Sequence, residues 1–291
     1  MHVKKILLYT GIFIVGFIGI SLWNFYSVIR PSQITTVLTP ADFNLSAEDI
    51  SLETHDKRML SAWFIPAPDI ENTVNNKRAL IIIHGYPAEK SDMLSIAASL
   101  YPDFSLLLLD LRSFGKSEGA YTTFGIKERD DIKRAVDFLN GRGYENIGIF
   151  GFSLGGAIGI LTAAEDSRVG AVASYASFAD LETLASGLYS NLFILEKPMT
   201  TLMLFWSRIL FGASVTDISP FNAAQKLTIP TFIIHSEADE QIPFEHATLL
   251  QRALADNEKA EYYFLKDRRH GFLPNDFSER VKDFFARSFS M

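Results

Sequence analysis

The sequence has 291 residues, 48% of them hydrophobic, and 27 Lys and Arg against 34 Asp and Glu give a formal net charge of −7. That is enough apolar material for one large core or a core with appendages, while the acidic balance lacks the basic stripe on which phosphate-driven nucleic-acid binding depends. Cysteine is absent, which excludes disulfides, thiolate metal sites and a cysteine nucleophile, and no His-Glu-x-x-His pattern offers zinc a site.

From Ile6 to Ile29 there is no charged residue. As a helix this stretch is about 36 Å long, enough for a bilayer core of about 30 Å with some tilt. Tyr9, Trp23 and Tyr26 fall near its two ends, where aromatic rings favour the membrane interface. The rival reading is a signal peptide, but the apolar region exceeds the usual length of about 7–15 residues and no Ala-x-Ala site follows it. Lys4 and Lys5 precede the span and Arg30 follows it, so the positive-inside bias predicts a cytoplasmic N-terminus and an extracytoplasmic domain. Residues 1–30 are therefore expected to be a single-pass anchor, 31–45 a polar linker and 46–291 the folded domain.

The domain opens with two strand-like segments, Ile50–Thr54 and Leu60–Ile65, flanking a turn as in an antiparallel hairpin. Apolar runs follow at 79–83, 105–110, 146–151, 169–174, 231–235 and 261–265. Helix-length segments separate them at Ser91–Leu100, Ile126–Asn140, Leu154–Ala164 and Phe244–Ala255, and Phe277–Phe289 closes the series. Continuous apolar strands alternating with helices predict an α/β fold, a mostly parallel central sheet flanked by helices on both faces. More than fifty residues between the fourth and fifth of these runs break the rhythm. The interval is too long for a simple connection and is expected to carry helices of its own, as a cap inserted at about 181–217. Its apolar stretch, 190–212, contains Glu196, Lys197, Pro198 and Arg208, which argues against a second membrane span. It either lines a substrate pocket or is an extra core helix pair.

The chemistry is concentrated in Gly151-Phe152-Ser153-Leu154-Gly155, a G-x-S-x-G pattern with a strand before it and a helix after it. On such a turn the serine is strained and its Oγ projects above the sheet. A serine hydroxyl needs a base, and the base needs an orienting group. Of six histidines, His2 precedes the span, His55 sits in a hairpin turn, His84 and His235 end strands and His246 lies inside a helix. His270, in a loop after the last strand, is at the sheet end where such folds bind ligands. Glu237, Asp239 and Glu240 follow the strand 231–235, and Asp239 is preferred at the loop apex. Ser153, Asp239, His270 is then the order of serine, acid and histidine found on α/β-hydrolase sheets. Two N–H donors for an oxyanion are expected from Leu154, which follows the nucleophile at a helix N-terminus, and from Tyr86, since Pro87 has no N–H. His84 is expected to brace that turn.

These ordered motifs resemble the α/β-hydrolase superfamily over about residues 46–291. More narrowly the chain is similar to membrane-anchored serine hydrolases of the esterase, thioesterase and serine-aminopeptidase-like branch. The resemblance implies that Asp110, Arg112, Gly115 and Ser117 form a structural loop near the site. One departure is Ser236, where relatives commonly have glycine before the acid. The expected activity is hydrolysis of an ester-type acyl bond through an acyl-enzyme, on a hydrophobic or lipid-like substrate, with no metal or cofactor implied. Thioesterase and peptidase activities are the alternatives, and a noncatalytic membrane-tethered binding module is the rival from another class.

Overall fold

The computed structural model describes residues 2–32, 37–68, 77–213 and 218–290. Parts of two expected segments, linker residues 33–36 and cap residues 214–217, lie outside these. Eight strands form one sheet: β1 (Glu48–Glu53), β2 (Met59–Ile65), β3 (Arg78–Ile83), β4 (Ser105–Leu109), β5 (Asn146–Phe152), β6 (Val169–Tyr175), β7 (Thr231–Ser236) and β8 (Ala260–Leu265). Their order is β1-β2-β4-β3-β5-β6-β7-β8. β2 is antiparallel to both β1 and β4, and the remaining pairs are parallel.

The apolar runs are continuous because both faces of the sheet are covered. Side chains alternate along a strand, so in β3 Ile81 and Ile83 enter one core and Leu80 and Ile82 the other. The first face packs on α3 (Glu128–Gly141) and α4 (Leu154–Ala163) through Ile132, Val136, Ile158 and Leu161. The second packs on α2 (Leu94–Leu100) and α9 (Phe277–Ser288) through Leu94, Leu100, Phe284 and Phe285. Every residue of α4 is buried, as expected of a helix that is apolar all round. The observed bounds differ from the expected ones by at most three residues, with most strands running longer and most helices shorter. The segment from Ser91 begins as a 3-10 turn, Lys90–Met93, before α2.

Between β6 and β7 the chain forms α5 (Leu181–Tyr189), a 3-10 turn (Ser190–Leu195), α6 (Glu196–Phe211) and the short α7 (Pro220–Ala224). The remaining helices are α8 (Glu245–Ala253) and, near the start, α1 (His2–Ile29). α1 is long and apolar enough to cross a membrane.

Candidate active site

β5 ends in the elbow. Ser153 has φ 53° and ψ −115°, a backbone conformation costly for a residue with a Cβ. It is held there by its N–H to Tyr175 O at 2.8 Å, while its carbonyl accepts from Gly156 N and Ala157 N in α4. Two glycines make the turn possible. A Cβ on Gly151 would lie 2.2 Å from Gly155 O, and one on Gly155 would lie 2.5 Å from Ile83 O. The helix N-terminus can therefore press against the end of β3. Ser153 Oγ has no hydrogen-bond partner among the described residues.

Asp239 and His270 come together from the loops after β7 and β8. His270 Nδ1 is 2.8 Å from Asp239 Oδ2, and both side chains are nearly sealed from solvent. Asp239 Oδ1 accepts the Gln241 and Ile242 N–H groups at 2.9 and 2.8 Å. Burial pushes the Asp239 carboxyl up, but the His270 donor and these two N–H groups outweigh it and hold the pKa below the ordinary value. An ionised carboxylate only accepts, so Nδ1 carries the proton and a neutral His270 presents Nε2 as a base. Glu240 meets this loop differently: its Oε2 accepts the His270 backbone N–H at 3.2 Å. Phe152, the residue before Ser153, lays its ring 5.0 Å from the His270 ring. Tyr175 O–H donates to Phe272 O at 2.6 Å and so fastens the histidine loop to β6. His270 and Ser153 are thus brought to the same end of the sheet, without a hydrogen bond between Nε2 and Oγ.

The other buried histidines are engaged. His84 Nδ1–H donates to Gly85 O at 2.7 Å, and its Nε2 accepts Leu111 N–H at 3.0 Å, which fixes a neutral, bracing ring. His235 Nε2–H donates to Ile242 O at 2.9 Å. His246 Nδ1 accepts Ala179 N–H at 3.2 Å, and burial pushes its pKa down to about 4. The Tyr86 and Leu154 N–H groups have no acceptor among the described residues. The turn carrying Tyr86 touches the elbow, since a Cβ on Gly85 would lie 3.0 Å from Ser153 Cβ.

Supporting residues surround this centre. Asp110 accepts Lys116 N–H at 2.9 Å and Lys90 N–H at 2.8 Å, and pairs with the Lys90 ammonium in full burial. Ser117 Oγ donates to Asp110 O at 2.7 Å. Arg112 makes two 2.6 Å bonds to Asp131 and reaches Asp56 at 3.0 and 3.2 Å. Phe114, carried by the same loop, packs edge-on against the His84 and Tyr86 rings. Ser236 Oγ donates to Arg268 O and accepts the Arg268 and Ala238 N–H groups at 3.1 and 3.2 Å. This hydroxyl links the acid loop to the histidine loop. Sequence reasoning missed the Lys90 and Asp131 partners, which carry no local signature. The role of Ser236 was signalled only by its departure from glycine.

Two cavities flank the centre. One of about 620 Å³ lies between α5 and the acid loop and is lined by Asp180, Glu182, Glu196, Glu240, Glu245 and His246, among others. The other, about 300 Å³, lies between Pro87–Ile96 and the side chains of Phe152, Tyr175 and Leu273. Leu184 and Leu188 of α5 line the larger one, but the apolar stretch 190–212 contributes no apolar side chain to either. Leu192, Phe193 and Ile194 face outward, and Met203 and Phe211 pack against Phe25 of α1.

Comparison with known proteins agrees with this architecture. A family model described as alpha/beta hydrolase fold matches residues 78–205. The YfhR protein of Escherichia coli O157:H7 is 28% identical over 214 residues, covering 70% of this chain and 67% of its own. Protein bem46 of Schizosaccharomyces pombe is 24% identical over 261 residues, covering 87% and 81%. Among solved structures, an esterase of Pyrococcus furiosus superposes with a TM-score of 0.72 at 22% identity, covering 89% of this chain and 97% of its own. An acylaminoacyl peptidase of Pyrococcus horikoshii gives 0.63 at 17% identity, covering 84% and 41%. The chain has the α/β-hydrolase fold, and its residues 78–205 match that fold's family model.

Proposed function

We propose that this chain is a serine hydrolase that cleaves an ester-type acyl bond through an acyl-enzyme on Ser153. The observation that carries the reading is the buried Asp239–His270 pair, 2.8 Å apart, beside a serine held at φ 53°. Ser153 Oγ attacks the carbonyl carbon while His270 Nε2 takes its proton, and Asp239 stabilises the imidazolium that forms. The Tyr86 and Leu154 N–H groups, free of other acceptors, hold the developing oxyanion. His270 then gives the proton to the leaving alcohol. Water, deprotonated by the same histidine, attacks the acyl-enzyme, and the acid departs as the proton returns to Ser153. The resemblance to esterases ranks a carboxylesterase first. Purified full chain is expected to hydrolyse short activated esters, with the activity lost in Ser153→Ala; unchanged hydrolysis in that variant would remove the assignment.

A second reading, hydrolysis of an aminoacyl amide, is favoured by one observation. The 620 Å³ cleft beside Glu240 is lined by five carboxylates, surroundings that attract a cationic group. Relative rates on matched acyl and aminoacyl substrates separate the two.

α1 belongs to the same proposal as a retained anchor, with Lys4 and Lys5 on the cytoplasmic side. Its last turns support this because they are part of the folded domain. Trp206 Nε1–H donates to Ser21 Oγ at 3.0 Å, Tyr189 O–H donates to Asn24 Oδ1, and Thr122 N–H donates to Ile29 O at 2.8 Å. Cleavage after α1 would strip these partners from the cap.

A further inference from the structure

α1 divides into two parts. Residues 2–20 are exposed apart from a half-buried Phe17; the uncharged part of that stretch, from Ile6 to Ile20, is about 22 Å of helix, shorter than a hydrocarbon core of about 30 Å. Beyond it, Ser21, Phe25 and Ile29 are buried. Their spacing of four places them on one helix face, and that face is clamped by Trp206 and Tyr189 of the cap and Thr122 of the loop before α3. Phe25 also packs on Phe211 at 5.8 Å between ring centres. The clamp begins before a full hydrocarbon thickness of uncharged helix has been passed, so the cap is held against the membrane surface with no flexible spacer.

The cap's outer surface suits that position. Phe193 and Ile194 are 86% and 89% exposed, at the tip of the turn that follows Tyr189. Phe205, Ile209 and Leu210 of α6 are exposed on the helix that holds Trp206. Exposed aromatic and aliphatic side chains concentrated on one segment mark an interaction site. Residues 190–212 hold Lys197, Arg208 and a single acidic residue, Glu196, against a chain total of −7. Glu196 is engaged by Ser186 O–H at 2.9 Å. A patch of aromatic and aliphatic tips edged by exposed cations matches an anionic bilayer interface.

We infer that the tip Phe193–Ile194 and the outer face of α6 insert into the leaflet from which α1 emerges, so that the cap is a second membrane contact and not a soluble lid. The contact rests on the anchor reading but not on the hydrolase reading.

The cysteine-free sequence permits a direct test in the full chain. Ile194→Cys, Phe205→Cys and, as a control on the hairpin between β1 and β2, Lys57→Cys are labelled with an environment-sensitive fluorophore and reconstituted into phosphatidylcholine and phosphatidylglycerol vesicles. Lys57 has an 81% exposed side chain. Vesicle flotation after an alkaline wash reports the anchor separately. The expected result is flotation of all three proteins, lipid-borne nitroxide quenching at positions 194 and 205, and severalfold weaker aqueous iodide quenching there than at position 57. Iodide quenching at 194 equal to that at 57 would overturn the cap contact while leaving the anchor standing. Shielding from both quenchers would overturn it in favour of contact between copies of the chain. Failure to float would overturn the anchor and the cap contact together.

Discussion

Replacing Lys90 by methionine isolates the buried ion pair beneath the candidate site. The Lys90 and Asp110 side chains are 1% and 0% exposed. The ammonium also donates to Ser61 Oγ at 3.0 Å and sits 4.7 Å from the Trp63 ring centre. In Lys90→Met the Asp110 carboxylate keeps its two backbone donors but loses its counter-charge in a site water does not reach. Leaving one member of a buried pair uncompensated costs about 3–5 kcal/mol. Asp110→Asn strands the ammonium and is expected to cost a similar amount. The double variant Lys90→Met/Asp110→Asn has no buried charge, but its single amide oxygen can accept only one of the two N–H groups, which bond different carboxylate oxygens, so it is expected to recover part of the loss and remain about 1–3 kcal/mol below the parent. The assay is urea denaturation of the four proteins in detergent, read as a double-mutant cycle, beside ester kcat/KM. Because Asp110 anchors the loop that presses Phe114 on Tyr86, the single variants should also lose activity, and the double variant should regain part of it. Additive losses in the double variant would refute this account of the pair.

Ser236→Ala removes the hydroxyl shared by the acid and histidine loops and leaves the Arg268 and Ala238 N–H groups without it. Stability should fall by about 1–3 kcal/mol, and kcat should fall with KM little changed, as steady-state kinetics would show. Gly155→Ala drives a Cβ to 2.5 Å from Ile83 O, backbone against backbone, and is expected to abolish soluble folded protein; a folded, labelled variant would contradict the packing of the elbow. His246 folds with a pKa lowered from 6.5 to about 4. As pH falls through 6.5 the unfolded chain takes up a proton that the folded chain refuses until about 4, so stability is lost on acidification. From pH 7 to pH 5 this one group contributes a loss of about 2 kcal/mol. His246→Asn, which retains an acceptor for Ala179 N–H, should show a smaller difference between urea midpoints at the two pH values.

The sheet was legible in the sequence because its parallel strands are buried on both faces, so that "ALIII" and "SLLLL" read as strands without alternation. The antiparallel hairpin showed through its turn. Ser153, Asp239 and His270 each fall past the end of a strand, and chain order sufficed to propose their meeting; the structure pairs Asp239 with His270 and brings Ser153 to the same end of the sheet without a hydrogen bond to that histidine. The supporting contacts were not legible. Lys90 meets Asp110 across 20 residues, and Trp206 meets Ser21 across 185; neither distance leaves a periodic trace. The apolar cap stretch announced burial, yet composition alone could not show which of its faces turns outward. Phe193 and Met203 read alike in sequence and occupy opposite environments.

Labelling of the purified full chain with a fluorophosphonate tests the central claim most directly. One adduct on Ser153 in the parent protein, absent in Ser153→Ala and strongly slowed in His270→Ala, is the predicted result. An unlabelled parent protein, or labelling that persists in Ser153→Ala, would contradict the assignment.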